Sequence, residues 1–356
     1  MSEIKRTLVP TPVSEAPLPE TEKKPEGDGK VHIHYQKAKT YKRIFARLVD
    51  LLLMVLFGML FYLGIRAIVM NTSSYKEASD RTNETMKDSG LYVESDGVYR
   101  DIVTYYKNQD LSASGRMKTY ESSLDTFIQF IYSDGIEGAG DEVKANYDSY
   151  RLDATYNDQH FFVKNDQGEI IKNSSFKGDG IYSLYSSNVY EPYIDTQARG
   201  FLLSKIPQYY SDTKMMSNVV IFLEVPLAVL LAALLVLMVP PLCFKRNRQT
   251  IGMLVYHIGL INNDLLAVKT GKCLIWSFLR SVLVILLSFY TLGIPLIIDI
   301  TMLVATKTKQ DFTEYMLQVY EVDVTNSKIY YSHADIENDY LLVDQKGVDF
   351  KNIESK

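Results

Sequence analysis

Apolar and polar residues are segregated into long blocks along this chain. Apolar runs extend over residues 44–69, 219–244 and 273–305, and the stretches between them are polar. A helix rises about 1.5 Å per residue, so about 20 apolar residues cross the hydrocarbon core of a bilayer. The first two runs therefore predict one membrane-spanning helix each, over residues 44–69 and 219–244. The third run is too long for a single span.

Basic residues flank these runs and predict the orientation of the chain. They precede the first run and follow the second and the third: Lys37, Lys39, Lys42, Arg43, Lys245, Arg246, Arg248, Lys307 and Lys309. The positive-inside rule puts all three clusters in the cytoplasm, so the third run must cross twice. Gly293 and Pro295 favour a turn between helices 273–290 and 292–306. The alternative is one long tilted helix, which would leave Lys307 and Lys309 on the outer side.

The resulting fold class is an α-helical integral membrane protein with four transmembrane helices, the last two forming a tight hairpin. We expect a multi-pass protein of the cell membrane with both termini in the cytoplasm and the lipid bilayer as its first partner. An α+β extracytoplasmic domain, residues 71–216, is inserted between the first two helices. Residues 245–272 form a cytoplasmic loop, and residues 307–356 a cytoplasmic tail. Residues 1–40 are rich in Pro and Glu, which predicts a disordered cytoplasmic tail.

Local patterns predict smaller elements within the polar segments. The predicted elements are helices over 73–88, 98–107 and 118–131, a β-hairpin over 160–171, and a strand over 315–324 that pairs with 259–261. The hairpin is common in extracellular ligand-sensing domains, but it is also an ordinary structural element. The many tyrosines of the segment are expected to complete a small core.

Composition excludes several functional classes. A net charge of −5 without a basic tract argues against a nucleic-acid partner. Cys243 and Cys273 lie at the ends of apolar runs, so the segment 71–216 must fold without disulfides. No catalytic, cofactor-binding or metal-binding motif is present, which predicts a protein that is not an enzyme and needs no cofactor. His32 and His34 are expected to be solvated rather than metal-bound.

Ionisable residues inside the apolar runs are the candidate functional groups. Arg43, Arg47 and Asp50 are spaced i, i+4, i+7 and share one helix face. We expect Arg43 to reach the cytoplasmic headgroups and Asp50 to lie roughly 10 Å deeper.

The other charged residues lie on the remaining helices. By depth, Asp50 can meet Arg280 and Asp299, whereas Glu224 stands apart near the outer surface. Two interpretations stay open. The charged residues form ion pairs that fix helix packing, or a carboxylate that is not paired with an arginine carries a cation or a proton.

Three motifs resemble the RDD family of bacterial membrane proteins. An Arg-x-x-Ala-x-x-x-Asp pattern matches Arg43 through Asp50, and Gln249-Thr250-Ile251-Gly252 matches a second motif, with Met253 in place of the family's lysine. A Gln-x-x-x-Asp motif aligns with Gln310 and Glu314, glutamate replacing aspartate, and Asp311 offers a competing alignment. The segment 71–216 has no counterpart in short family members.

The resemblance implies a transporter, with sodium–proton exchange suggested for some members. It nominates Arg43, Asp50 and Glu314, supported by Arg280. We therefore expect a transporter, or a transport accessory protein, for a small cation or proton. Four helices enclose little space, so a homo-oligomer is expected. The alternative is a membrane-anchored sensor or interaction protein whose outer domain binds an extracellular ligand or partner.

Overall fold

The computed structural model describes residues 35–178, 180–325, 327–336 and 338–339. The chain forms two compact units. Among the described residues, the apolar unit contains those up to Arg66 and from Phe222 onward, and the polar unit those within Ala67–Ile221. His32, His34 and most of the predicted N-terminal tail lie outside the described residues, as does the end of the predicted C-terminal tail.

Besides a helical segment at residues 333–336, the described residues include eleven helices and eight short strands. In chain order these are α1 (Thr40–Val69), α2 (Ser73–Asp88), β1 (Tyr92–Ser95), β2 (Val98–Asp101), α3 (Ile102–Lys107), α4 (Ala113–Asp134), α5 (Ala139–Asp153), β3 (Thr155–Tyr156), β4 (Gln159–His160), β5 (Phe162–Lys164), β6 (Ile170–Lys172), α6 (residues 181–205), α7 (Pro207–Cys243), α8 (Ile251–Val255), β7 (Ile258–Asn262), α9 (Thr270–Tyr290), α10 (Ile294–Ala305), α11 (Phe312–Leu317) and β8 (Val319–Asp323). Helices α6, α7 and α9 include π-helical stretches.

Three helices are long and apolar enough to cross a membrane: α1, α7 and α9. Helix α1 leaves large apolar side chains such as Leu52, Met59 and Leu63 more than half exposed. A contiguous apolar surface of this kind is stable in lipid rather than in water. The chain is therefore a membrane-embedded protein.

The third apolar run is divided into two helices. Helix α9 ends at Tyr290 and α10 begins at Ile294. Between them Leu292 and Gly293 adopt positive φ angles of 52° and 87°, and the Ser288 hydroxyl accepts a hydrogen bond from the Leu296 amide at 3.1 Å. Helix α10 has only 12 residues, so a fourth membrane crossing stays a prediction.

A two-stranded sheet lies beside the start of α1. Strands β7 and β8 are antiparallel, with Gly259 opposite Val322, which confirms the predicted pairing. The strand predicted from residue 315 was wrong at its start, because α11 occupies Phe312–Leu317. Asp311 and Glu314 form a capping box, in which each side chain accepts a hydrogen bond from the other residue's amide. This cap favours a helical turn over the strand propensity of the following residues.

The predicted disordered tail ends earlier than residue 40. The Ala38 amide donates to the Glu321 carbonyl at 3.1 Å, and the Asp323 amide donates to the Gln36 carbonyl at 2.9 Å. Tyr35 and Ala38 are buried. Residues 35–39 therefore extend along β8 and fix the entry into α1.

The polar unit has its own core, built largely from aromatic side chains. Helices α4, α5 and α6 enclose buried tyrosines, among them Tyr120, Tyr147, Tyr190 and Tyr193. The predicted helix 73–88 and the predicted hairpin are present as α2 and as β5–β6, with Val163 opposite Ile171.

One predicted helix of the polar unit was wrong in its first part. Residues 98–101 form β2 rather than the start of a helix. The helix begins only after Asp101, whose carboxylate caps the Thr104 amide at 2.7 Å.

Candidate functional site

Eight charged side chains of the apolar unit converge near the start of α1. This charge cluster contains Arg43, Arg47, Asp50, Arg280, Asp299, Asp311, Glu314 and Glu321. All five carboxylate residues in it are buried. Residues far apart in sequence meet because α9 and α10 pack together and the segment after α10 returns to the start of α1, where Arg43 and Arg47 bond it.

Arg43 lies at the centre of the cluster. One of its terminal nitrogens lies 2.5 Å from both carboxylate oxygens of Glu314. Its Nε donates to Glu321, and its other terminal nitrogen donates to the Lys309 carbonyl at 2.5 Å. The prediction that Arg43 reaches the headgroups was wrong, since only 1% of the residue is exposed. The two glutamates and the carbonyl satisfy its guanidinium within the protein.

Arg47 lies one helical turn further along the same face. It forms ion pairs with Asp311 at 2.6 Å, with Asp299 at 3.4 Å and with Glu321 at 3.6 Å. The predicted shared face of Arg43 and Arg47 is therefore turned towards the carboxylates. Arg47 links α1 to α10 and to the cap of α11.

Arg280 enters the cluster from a π-helical stretch of α9, Arg280–Leu286. Its guanidinium lies 3.8 Å from Asp311 and from Glu321, and it stacks over Trp276 at 5.2 Å. The sequence left open whether Arg280 pairs with Asp50 or Asp299. Within 4 Å, its partners among the described residues are instead Asp311 and Glu321.

Asp50 has a different environment from the other carboxylates. It accepts hydrogen bonds from the Thr250 hydroxyl at 2.6 Å and from the Gly252 amide at 2.8 Å. No ion pair to Asp50 occurs among the residues described. Asp50 therefore connects α1 to the start of α8 through these two hydrogen bonds.

The Gln-Thr-Ile-Gly motif has a structural explanation in these contacts. The Gln249 amide donates to the Ile258 carbonyl at 2.8 Å, and Thr250 caps α8 through the Met253 amide. A Cβ at Gly252 would lie 2.0 Å from the Ala46 carbonyl oxygen, so only glycine permits this approach to α1. At the third motif, the Gln310 amide donates to the Val319 carbonyl at 3.4 Å.

A cavity of about 90 Å³ adjoins the cluster between α1, α7, α9 and α10. Its polar lining consists of Arg47, Asp50, Arg280 and Asp299, and the rest is apolar. The predicted meeting of Asp50, Arg280 and Asp299 is thus realised around a shared space. A cavity this size with several polar partners is large enough for a few water molecules.

The cluster contains five carboxylates and three guanidinium groups, so its charges do not balance. Burial, together with the charges of Asp311 and Glu321, raises the pKa of Glu314 well above its ordinary value, although Arg43 opposes the shift. Burial also acts to raise the pKa of Glu321, but Arg43, Arg47 and Arg280 outweigh it and lower that pKa. The two pKa shifts have opposite directions, so Glu314 takes up a proton more readily than Glu321 does.

Three of these carboxylates are also close enough to surround a cation. Asp311, Glu314 and Glu321 each offer one oxygen, and these oxygens lie within 4.8 Å of one another. Arg43 and Arg47 already bond to the same groups. A metal ion would thus compete with two guanidinium groups for these oxygens.

Glu224 is remote from the cluster, as its position in the sequence predicts. It is fully buried and pairs with Arg66 at 3.0 Å. Arg66 is not among the predicted site residues, although it lies in the last turn of α1. Glu321 is not among them either; its signal in the sequence is the two-residue spacing from Val319, which puts both on the buried face of β8.

No protein-family model, no curated protein and no solved structure matches this chain.

Proposed function

We propose that this chain is an RDD-type membrane protein that transports a proton or small cation, or serves as an accessory subunit of such a transporter. The observation that carries the proposal is the excess of two buried carboxylates over guanidinium groups in the charge cluster. Uncompensated buried charge is costly, so the cluster favours uptake of protons or of a small cation.

The local geometry supports exchange at the end of the span where α1 begins. In the orientation that the basic residues predict, this end faces the cytoplasm. Asp299 lines the cavity and lies 3.4 Å from Arg47, which also bonds Asp311. A proton or cation that reaches the cavity can therefore be passed among Asp299, Asp311 and Glu314 by small side-chain movements.

The path from the cluster to the opposite end is apolar. Asp50 and Arg66 are about 24 Å apart along α1 at the rise of an α-helix, and no charged residue lies between them in α1. The same holds for residues 225–243 of α7 and 281–290 of α9. We infer that release on the other side requires a second conformation or a second subunit, which agrees with the expected homo-oligomer.

The experiment is a flux assay in proteoliposomes under a pH gradient, with sodium or potassium on the opposite side. Glu314→Gln and Asp299→Asn should each lower the flux by roughly 10²-fold, the lower range for loss of a positioned proton-transfer group. Glu137→Gln, on the exposed surface of the polar unit, is the matched control and should retain wild-type flux. Wild-type flux in both cluster variants would refute the proposal.

The second candidate is a membrane-anchored sensor. It is favoured by a cleft in the polar unit that contains an acidic and a basic side chain without an ion-pair partner among the described residues.

A further inference from the structure

The polar unit contains an open cleft of about 320 Å³ between α4 and α5. The lining residues are Asp125, Ile128, Gln129, Tyr132, Lys144, Tyr147, Asp148 and Arg151. This volume is at the lower end of the range for small-molecule sites. The cleft lies entirely within one unit and is separate from the charge cluster.

The lining follows the same spacing on both helices. Residues 125, 128, 129 and 132 of α4 are spaced i, i+3, i+4, i+7, and so are residues 144, 147, 148 and 151 of α5. This spacing gives one continuous stripe per helix, and where two such helices pack tightly the stripe is apolar. Here Ile128 is the one aliphatic residue of the eight. The apolar contact between the two helices lies beside this stripe, at residues such as Phe127, Ile131 and Val143. The cleft is therefore a polar groove on the solvent side of that contact.

Groups of both charges in this cleft have unused bonding capacity. Among the described residues, the Asp125 carboxylate and the Lys144 ammonium have no ion-pair partner within 4 Å and no hydrogen bond. The hydroxyl of Tyr147 also lacks a hydrogen bond there, although only 3% of the residue is exposed. All three groups can therefore bond a ligand that enters the cleft.

Arg151 is held in place at the side of the cleft. It pairs with Asp148 and lies over the rings of Tyr147, at 4.4 Å, and Phe162, at 5.5 Å. Its Nε is buried and has no hydrogen-bond partner. Stacking fixes the plane of the guanidinium, so its remaining donors are pre-positioned for an anion.

We propose that this cleft binds a small zwitterion of the free amino acid type. Asp125 receives the ligand's ammonium group, and Lys144 and Arg151 receive its carboxylate. Tyr147 donates its hydroxyl to the carboxylate, and Ile128 and the ring of Tyr132 contact a short apolar side chain. A ligand with only one charge leaves a cationic or an anionic side of the cleft unpaired, so the arrangement selects for both charges together.

The proposal does not rest on transport by the charge cluster. Binding and flux are measured separately, and either can fail while the other holds. Binding of a ligand in the polar unit would support the sensor function and would identify the chemical class of its ligand.

The test is calorimetric titration of the full-length protein in lipid nanodiscs with glycine, L-leucine and L-phenylalanine. We expect saturable binding of at least one of them. For leucine the matched probes are 3-methylbutylamine, which lacks the carboxylate, and 4-methylpentanoate, which lacks the amine. For phenylalanine they are 2-phenylethylamine and 3-phenylpropanoate. Each should bind about tenfold more weakly or worse, since both charge-assisted contacts are needed.

Two variants locate the site. Asp125→Asn and Lys144→Gln change exposed side chains, so folding is preserved, and each should weaken binding of the zwitterion about tenfold or more. Asp80→Asn on α2 and Lys118→Gln on α4 are exposed controls and should bind as the wild type does. The proposal is overturned if none of the three amino acids binds saturably, or if Asp125→Asn and Lys144→Gln bind like the wild type.

Discussion

At the scale of single residues, similar side chains in one cluster have opposite roles. Glu314 and Glu321 both bond Arg43, yet their pKa values shift in opposite directions. Glu314 is flanked by Asp311 and Glu321, whereas Glu321 lies among three arginines. Asp50, by contrast, is bonded by a hydroxyl and an amide and holds α8 in place.

This difference predicts distinct pH dependences of stability for two variants. The raised pKa of Glu314 means that, as pH rises above the ordinary glutamate value of about 4.3, the unfolded chain loses a proton that the folded chain keeps. Above that pH the free energy of unfolding of the wild type therefore falls relative to that of Glu314→Gln. The lowered pKa of Glu321 leaves that residue ionised in both states, so the difference between wild type and Glu321→Gln should stay constant from about pH 5 to 8.

Thermal unfolding of the three proteins in detergent across this pH range provides the measurement. A constant difference for Glu314→Gln, or a difference that grows with pH for Glu321→Gln, would contradict the assignment of proton and charge within the cluster.

At the scale of elements, α8 depends on a close approach to α1. Gly252→Ala places a methyl group against the Ala46 carbonyl and disturbs the amide that bonds Asp50. Overpacking of this kind costs about 1–3 kcal/mol, and we expect a lower melting temperature.

Gly271→Ala is the matched control for this substitution. Gly271 lies in α9, and a Cβ there meets no atom within 4 Å. Its melting temperature should be unchanged or slightly raised, because alanine is the better helix former. Equal melting temperatures for the two variants would show that the contact between α8 and α1 is unimportant.

The elements that the sequence predicted well have strong local signals. The apolar runs and the Gly293–Pro295 break have them, and so do the β-branched and aromatic residues of β8. The miss over residues 98–101 arose because a β-hairpin turn at Asp96–Gly97 outweighed helical periodicity, and Asp96 and Gly97 both adopt positive φ angles. The partners of Arg43 could not be predicted, since depth in a membrane gives no information on how residues after α10 return to α1.

At the scale of the whole molecule, the number of crossings is the main prediction about topology. If α9 and α10 both cross, the turn between them faces outward and the segment after α10 faces the cytoplasm. Leu292 is 96% exposed in that turn. Leu292→Cys should react with a membrane-impermeant maleimide on intact cells, whereas Lys307→Cys should react only after permeabilisation.

Both variants are made in a protein whose two native cysteines are replaced, by Cys243→Ser and Cys273→Ala. Labelling of Leu292→Cys and Lys307→Cys from the same side would contradict the four-helix topology and favour an α10 that does not cross.

The central claim is that the buried charge cluster holds an exchangeable proton. Infrared spectroscopy of the membrane-reconstituted protein tests it directly, because a protonated carboxyl group has a carbonyl band that a carboxylate lacks. We predict such a band at neutral pH that shifts on transfer to D₂O and is lost in Glu314→Gln but kept in Glu137→Gln. Absence of the band in the wild type, or its persistence in Glu314→Gln, would contradict the account.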